Sequence, residues 1–208
     1  FYKILTHIGH SEKVLFMRVF IAVLVLILSF QSWTKADDIS DFEIEGMSVN
    51  DSALNFLTET FIKSEIRTNG WYKDNKYFEI TYPLENSIYE DISLTFKPND
   101  KKYIIYQVGG TKRYKNIDEC KKQKIDIVSE LSEMYSYAKK FDQGKSNYSE
   151  DPSGESKVYA VYFYIETGGW IDISCYDITE KLAKKNNWMQ KYLAVIVVNK
   201  EFADFLSN

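Results

Sequence analysis

The chain has 208 residues, 16% aromatic and 27% charged, and its formal charge of −4 becomes about −7 once the four basic and one acidic residues before Asp37 are set aside. An acidic chain whose basic residues cluster no further than short pairs such as Lys121-Lys122 and Lys184-Lys185 argues against nucleic acid and anionic membrane surfaces as partners, since both need a basic face. The two histidines, His7 and His10, both precede residue 17, so the rest of the chain has no imidazole for Ser/His/Asp catalysis or for most zinc sites.

In chain order, residues 1–16 read as an upstream non-native stretch or fragment. Residues 17–36 read as a signal peptide: Met17 and Arg18 lead into the apolar run Phe20–Phe30, which is shorter than the roughly 18 residues a membrane span needs. Thr34 and Ala36 are small enough for cleavage before Asp37. The expectation is one exported domain over 37–208, periplasmic or secreted, with no stable membrane anchor after cleavage. No cysteine follows the apolar run where a lipid anchor would need it. Cys120 and Cys175 both lie in the exported part, and an even pair in an oxidising compartment predicts a disulfide.

Ala53, Leu54, Leu57 and Phe61 recur at helical spacing and predict a helix over about 51–63. Strands follow over 77–82 and 89–97, where Ile92, Leu94 and Phe96 alternate with polar residues. Pro98-Asn99-Asp100 turns the chain into a return strand at 103–108, and Gly109-Gly110 reads as a bend. Asn116 and Glu119 cap the strongest helix, whose apolar stripe runs through Ile117, Cys120, Val128, Leu131, Met134, Tyr135 and Ala138. Residues 142–156, almost without apolar side chains, read as an exposed mobile loop. Strands are predicted over 158–165, 170–176 and 192–198, with Ile171, Ile173 and Cys175 on one face, and short helices over 180–185 and 201–206. The fold class is α+β, an antiparallel sheet with helices packed on one face. The order helix-then-three-strands occurs twice, which fits two α-β-β-β repeats.

The stretch from Phe42 to Ser52, the hairpin ending Asp100-Lys101-Lys102-Tyr103-Ile104-Ile105-Tyr106 and Ser174-Cys175-Tyr176-Asp177 together resemble a family of small, uncharacterised exported bacterial proteins. The resemblance implies export and a single domain, and no reaction. More loosely, Gly46-Met47-Ser48 before a short helix and strands resembles the tandem helix-plus-strands modules of envelope assembly lipoproteins and β-lactamase inhibitor proteins.

Candidate ligand-binding residues are Trp71, Tyr82, Trp170 and Trp188, aromatics near turns or strand ends whose flat amphipathic rings suit a protein or a glycan partner. The competing account is that such rings simply cover neighbouring strands. The acid/base groups left are carboxylates: Asp91, Asp100, Asp172 and Asp177 fall in or beside strands, and a pair about 5 to 9 Å apart could hydrolyse a glycoside. No metal or organic cofactor is expected. The leading expectation is an exported binding module; the alternatives are a small exported hydrolase using a carboxylate pair and an envelope structural factor acting through a partner.

Overall fold

The described residues form seven strands, all antiparallel in one sheet: β1 (Phe78–Pro83), β2 (Asp91–Phe96), β3 (Gln107–Arg113), β4 (Lys139–Asn147), β5 (Lys157–Tyr164), β6 (Trp170–Asp177) and β7 (Lys191–Val198). Their order across the sheet is β1-β2-β3-β7-β6-β5-β4, so two meanders join where β3 pairs with β7. Four helices accompany them: α1 (Glu59–Glu65), α2 (Ile117–Met134), α3 (Glu180–Asn186) and α4 (Lys200–Leu206). The fold is α+β with helices packed on one side of the sheet, as the sequence predicts. This is a computed structural model that describes residues 38–66 and 70–208, within the unit Ala36–Asn208; the predicted leader and its cleavage point lie outside the described residues.

Register sorts every strand residue onto one of two faces. Phe78, Ile80, Ile92, Leu94, Phe96, Val108, Val161, Phe163, Ile171, Ile173, Leu193, Val195 and Val197 share one face and are buried in the main core. The long helix α2 covers that face over β6 and β7, and Ile44, Met47 and Val49 of the N-terminal segment with Ile62 of α1 complete the same core. Asn116 starts α2 by accepting a hydrogen bond from the Glu119 N–H (2.9 Å), with Asp118 and Glu119 at the positive end of its dipole. Cys120 and Leu131 point inward from it, and Cys120 is bonded to Cys175 of β6 with 6.0 Å between the α-carbons. The disulfide is consistent with an extracellular or periplasmic protein. Among the described residues no helix is long and apolar enough to cross a membrane.

Five readings need correction. The helix over 51–63 is two pieces, a 3-10 turn at Ala53–Asn55 and then α1, because the Thr58 side chain accepts from the Phe61 N–H (3.2 Å) and starts a new helix; Leu54 is left exposed. The return strand is Gln107–Arg113, not 103–108. The backbone before it is committed to the N-terminal segment, through Asn50 N–H to Ile105 O (2.8 Å) and Ala53 N–H to Tyr103 O (3.0 Å). Gly109-Gly110 is therefore the middle of β3 and not a bend. A β-carbon on Gly110 would stand 2.6 Å from the ring of Tyr89, so glycine there makes room for that ring.

The loop 142–156 is also shorter than expected. Residues up to Asn147 belong to β4, an edge strand whose Lys139, Lys140 and Lys145 are the charges that keep a sheet edge from pairing with another chain. The remainder is held by Asp151, whose carboxylate accepts from the Ser153 hydroxyl (2.6 Å), the Ser156 N–H (2.8 Å) and the Ser153 N–H (3.0 Å), and these bonds, the Ser153 hydroxyl's foremost, pull its pKa far down. With β4 counted, the second half has four strands with α3 inserted, so it does not repeat the three strands of the first half.

Candidate functional site

The opposite face of the sheet, turned away from α2, carries different chemistry on the same strands. Its residues include Glu79 on β1, Gln107 and Thr111 on β3, Trp170, Asp172, Ser174 and Tyr176 on β6, Tyr162 and Tyr164 on β5, and Tyr192 on β7. Tall rings stand around small or polar neighbours.

At one end, Tyr176 and Tyr192 stack face to face across β6 and β7, with centroids 4.6 Å apart and planes 7° apart. Tyr148 meets Tyr176 edge-on at 5.9 Å and Trp188 at 6.0 Å. Two local devices place these last rings. Tyr148 follows β4 and is fixed by its N–H to Ser156 O (3.0 Å). Trp188 follows α3, where Asn187 takes a left-handed φ of 55° and the Trp188 N–H reaches Ala183 O (2.9 Å). Next to them lies a groove of about 930 Å³ lined by residues that include Trp188, Tyr148, Tyr192, Thr81, Asp91, Thr111 and Arg113. That volume falls within the roughly 300–1,000 Å³ of small-ligand clefts. The buried Thr111 Oγ1 beside the groove has no hydrogen-bond partner, and neither has the Tyr114 hydroxyl, whose ring packs against the main core on the covered face.

At the other end, Tyr162 stacks on Phe141 (6.5 Å) and Tyr164 (6.2 Å) and receives Trp170 edge-on (6.2 Å). Between the two aromatic groups sits Asp172, only 6% exposed, with the Ser174 hydroxyl donating to its Oδ1. Burial pushes its carboxyl up to about 6, opposed by the Ser174 bond and by the more distant Lys124 ammonium. Its charge in turn adds to the burial that raises the Tyr162 and Tyr176 phenols. A second carboxylate, the half-buried Glu79, accepts from Tyr72 OH (3.1 Å) and Gln107 Nε2 (2.8 Å), and its partial desolvation raises its pKa.

Of the four aromatics singled out in the sequence, the structure brings Trp188 to the groove and Trp170 to the second aromatic group, both on the open face. Tyr82 lies on the covered face, edge-on to Phe61 at 5.7 Å, and Trp71 packs beside Phe78 at the β1 edge. The sequence reading did not single out Tyr148, Tyr176 or Tyr192 for the site; Tyr176 and Tyr192 stand at alternate positions of strands that were correctly predicted.

The carboxylates do not converge. Asp91 is 4.0 Å from Arg113, Asp177 is 3.6 Å from Lys191, and Asp100 holds its turn by accepting from the Lys102 and Ile104 N–H groups. Asp91 and Asp172 lie on strands three places apart, about 14 Å at the usual strand spacing, and Asp177 points to the other face. Those separations exceed the roughly 5–9.5 Å of glycosidase pairs. Among the described residues no three His, Cys, Asp or Glu side chains are grouped to hold a metal ion.

Comparison of the chain with protein-family models, curated proteins and solved structures finds no match.

Proposed function

We propose that the protein is an exported binding module that holds its ligand on the open sheet face, in the groove beside Trp188. The observation that supports this reading is the contrast between the two faces. One is a sealed apolar core, while the other combines partly exposed rings, a ligand-sized groove and polar groups buried at strand positions where apolar ones would be more stable. The disulfide and the leader-like run fit delivery to the periplasm or the exterior. Binding here needs neither a metal nor an organic cofactor.

The test is affinity capture from envelope extract, with wild-type protein beside the double variant Trp188→Ala/Tyr148→Ala, both first shown to be folded by their thermal midpoints. Envelope material, protein or glycan, that is retained by the wild type and lost by the variant supports the reading. Identical retention by the two proteins, or none by the wild type, overturns it.

A further inference from the structure

Building on the reading of the groove as a binding site, we infer that its occupant is a basic segment of a protein partner, one that carries more than one cationic side chain. The first reason is charge. Two cations line the groove, Arg113 and Lys191, and three carboxylates answer them. Lys191 is matched by Asp177 at 3.6 Å. Arg113 is shared: its Nε is 3.4 Å from Glu90, whose carboxylate also accepts from the Arg113 N–H (3.2 Å), while Asp91 stands 4.0 Å from the guanidinium. One guanidinium cannot neutralise two carboxylates, so a negative charge is left over at Asp91, whose side chain is 21% exposed. Glu150, exposed just beyond Tyr148, supplies a second, and its charge adds to the burial that raises the Tyr148 and Tyr192 phenols. An acidic groove on an acidic chain draws a basic partner and repels an acidic one.

The second reason is what surrounds the surplus charge. Trp188, 39% exposed, lines the groove together with Tyr148 and Tyr192, and an aromatic ring attracts a cation through its negative face. Strands β2 and β7 flank β3, which sets Asp91 and Tyr192 about 10 Å apart across the sheet. A single ammonium ion cannot touch the carboxylate and the rings at once, whereas a chain with several basic side chains can. A groove of about 930 Å³ has room for such a segment, and the side-chain amides of Asn187 and Gln190 that also line it can donate to and accept from peptide groups.

Calorimetric titration of the folded, disulfide-bonded protein at low salt tests this, with acetylated and amidated tetralysine beside tetraglutamate capped in the same way and spermine, a free polyamine of the same charge as the tetralysine. The expected result is saturable binding of tetralysine, weakened about tenfold or more by Trp188→Ala and about threefold or more by Asp91→Asn. Asp126→Asn, which removes a carboxylate from the exposed side of α2, should leave binding unchanged. Tetraglutamate should not bind, and spermine, which has no peptide groups, should bind about threefold or more weakly than tetralysine. No binding of tetralysine at millimolar concentration, or binding that either groove variant leaves intact, overturns the inference, as does spermine or tetraglutamate binding as tightly as tetralysine. If groove-dependent capture from envelope extract persists while tetralysine fails, the basic segment is wrong and the binding module stands. If capture is also indifferent to the groove, both readings fall.

Discussion

The two faces of this sheet are made by the same strands, residue by residue, yet they obey different rules. On the covered face, Phe163, Ile173, Val195 and Leu94 are at most 1% exposed, and a covalent bond from Cys120 to Cys175 ties α2 down. On the other side, the residues between them in sequence are Tyr162, Asp172, Ala194 and Thr95; aromatic and polar groups fill much of that surface, and one part of it, at Val198 and Ile196, packs with Phe202 of α4 in a smaller apolar cluster. A face that existed only to be covered would not bury Asp172 without a close cation. The lesson is that stability is concentrated on one side, which leaves the other free to carry groups that weaken the fold and serve recognition.

The largest expected effect comes from breaking the covered face. Phe163→Ala removes a ring that is 1% exposed and should cost about 3–5 kcal/mol in denaturant unfolding. Next is the staple. The bridged cysteines are 55 residues apart, for which the chain-entropy model gives up to about 4 kcal/mol, so the double variant Cys120→Ser/Cys175→Ser should unfold at clearly lower denaturant. Thiol titration of the denatured, unreduced protein should find no free sulfhydryl.

The open face should respond with the opposite sign. Asp172 has its carboxyl raised from 3.8 to about 6, so the folded state holds this proton more tightly than the unfolded chain does. Its contribution to stability is therefore greatest below about pH 4, declines as the pH rises to about 6, and stays at the lower level above that. Asp172→Asn should remove that slope and stabilise the protein at pH 7 by an amount on the order of 2–3 kcal/mol, seen in unfolding midpoints across pH. An unchanged slope in the variant would mean that Asp172 is hydrated and the open face is not built as described. The smallest effect on stability is expected of Trp188→Ala, less than about 1 kcal/mol, in a protein that should nevertheless lose its ligand.

How much of this was legible in the sequence differs by face. Strands β5 to β7, the cap at Asn116 and the cysteine pair could all be read, because apolar alternation and capping chemistry are local signals. Strand β4 could not. Its segment, Lys139–Asn147, is exposed along most of its length, so it lacks the apolar period that marks a strand, and it belongs to the sheet through its backbone pairing with β5. The groove was hidden for another reason. Tyr148, Tyr176, Trp188 and Tyr192 come from four separate pieces of chain, and period-two alternation says which residues share a face without saying which face the helix will cover. Choosing aromatics by their nearness to turns therefore found Trp170 and Trp188 along with Tyr82 and Trp71, which belong to the covered side.

The most direct measurement of the division between faces is hydroxyl-radical footprinting of the folded protein with and without envelope extract. Trp188 and Tyr148 at the groove should lose reactivity in the extract, while Met134 and Ile125 on the outer side of α2 keep theirs. Protection of Met134 and Ile125 with the open-face rings still reactive would contradict the account.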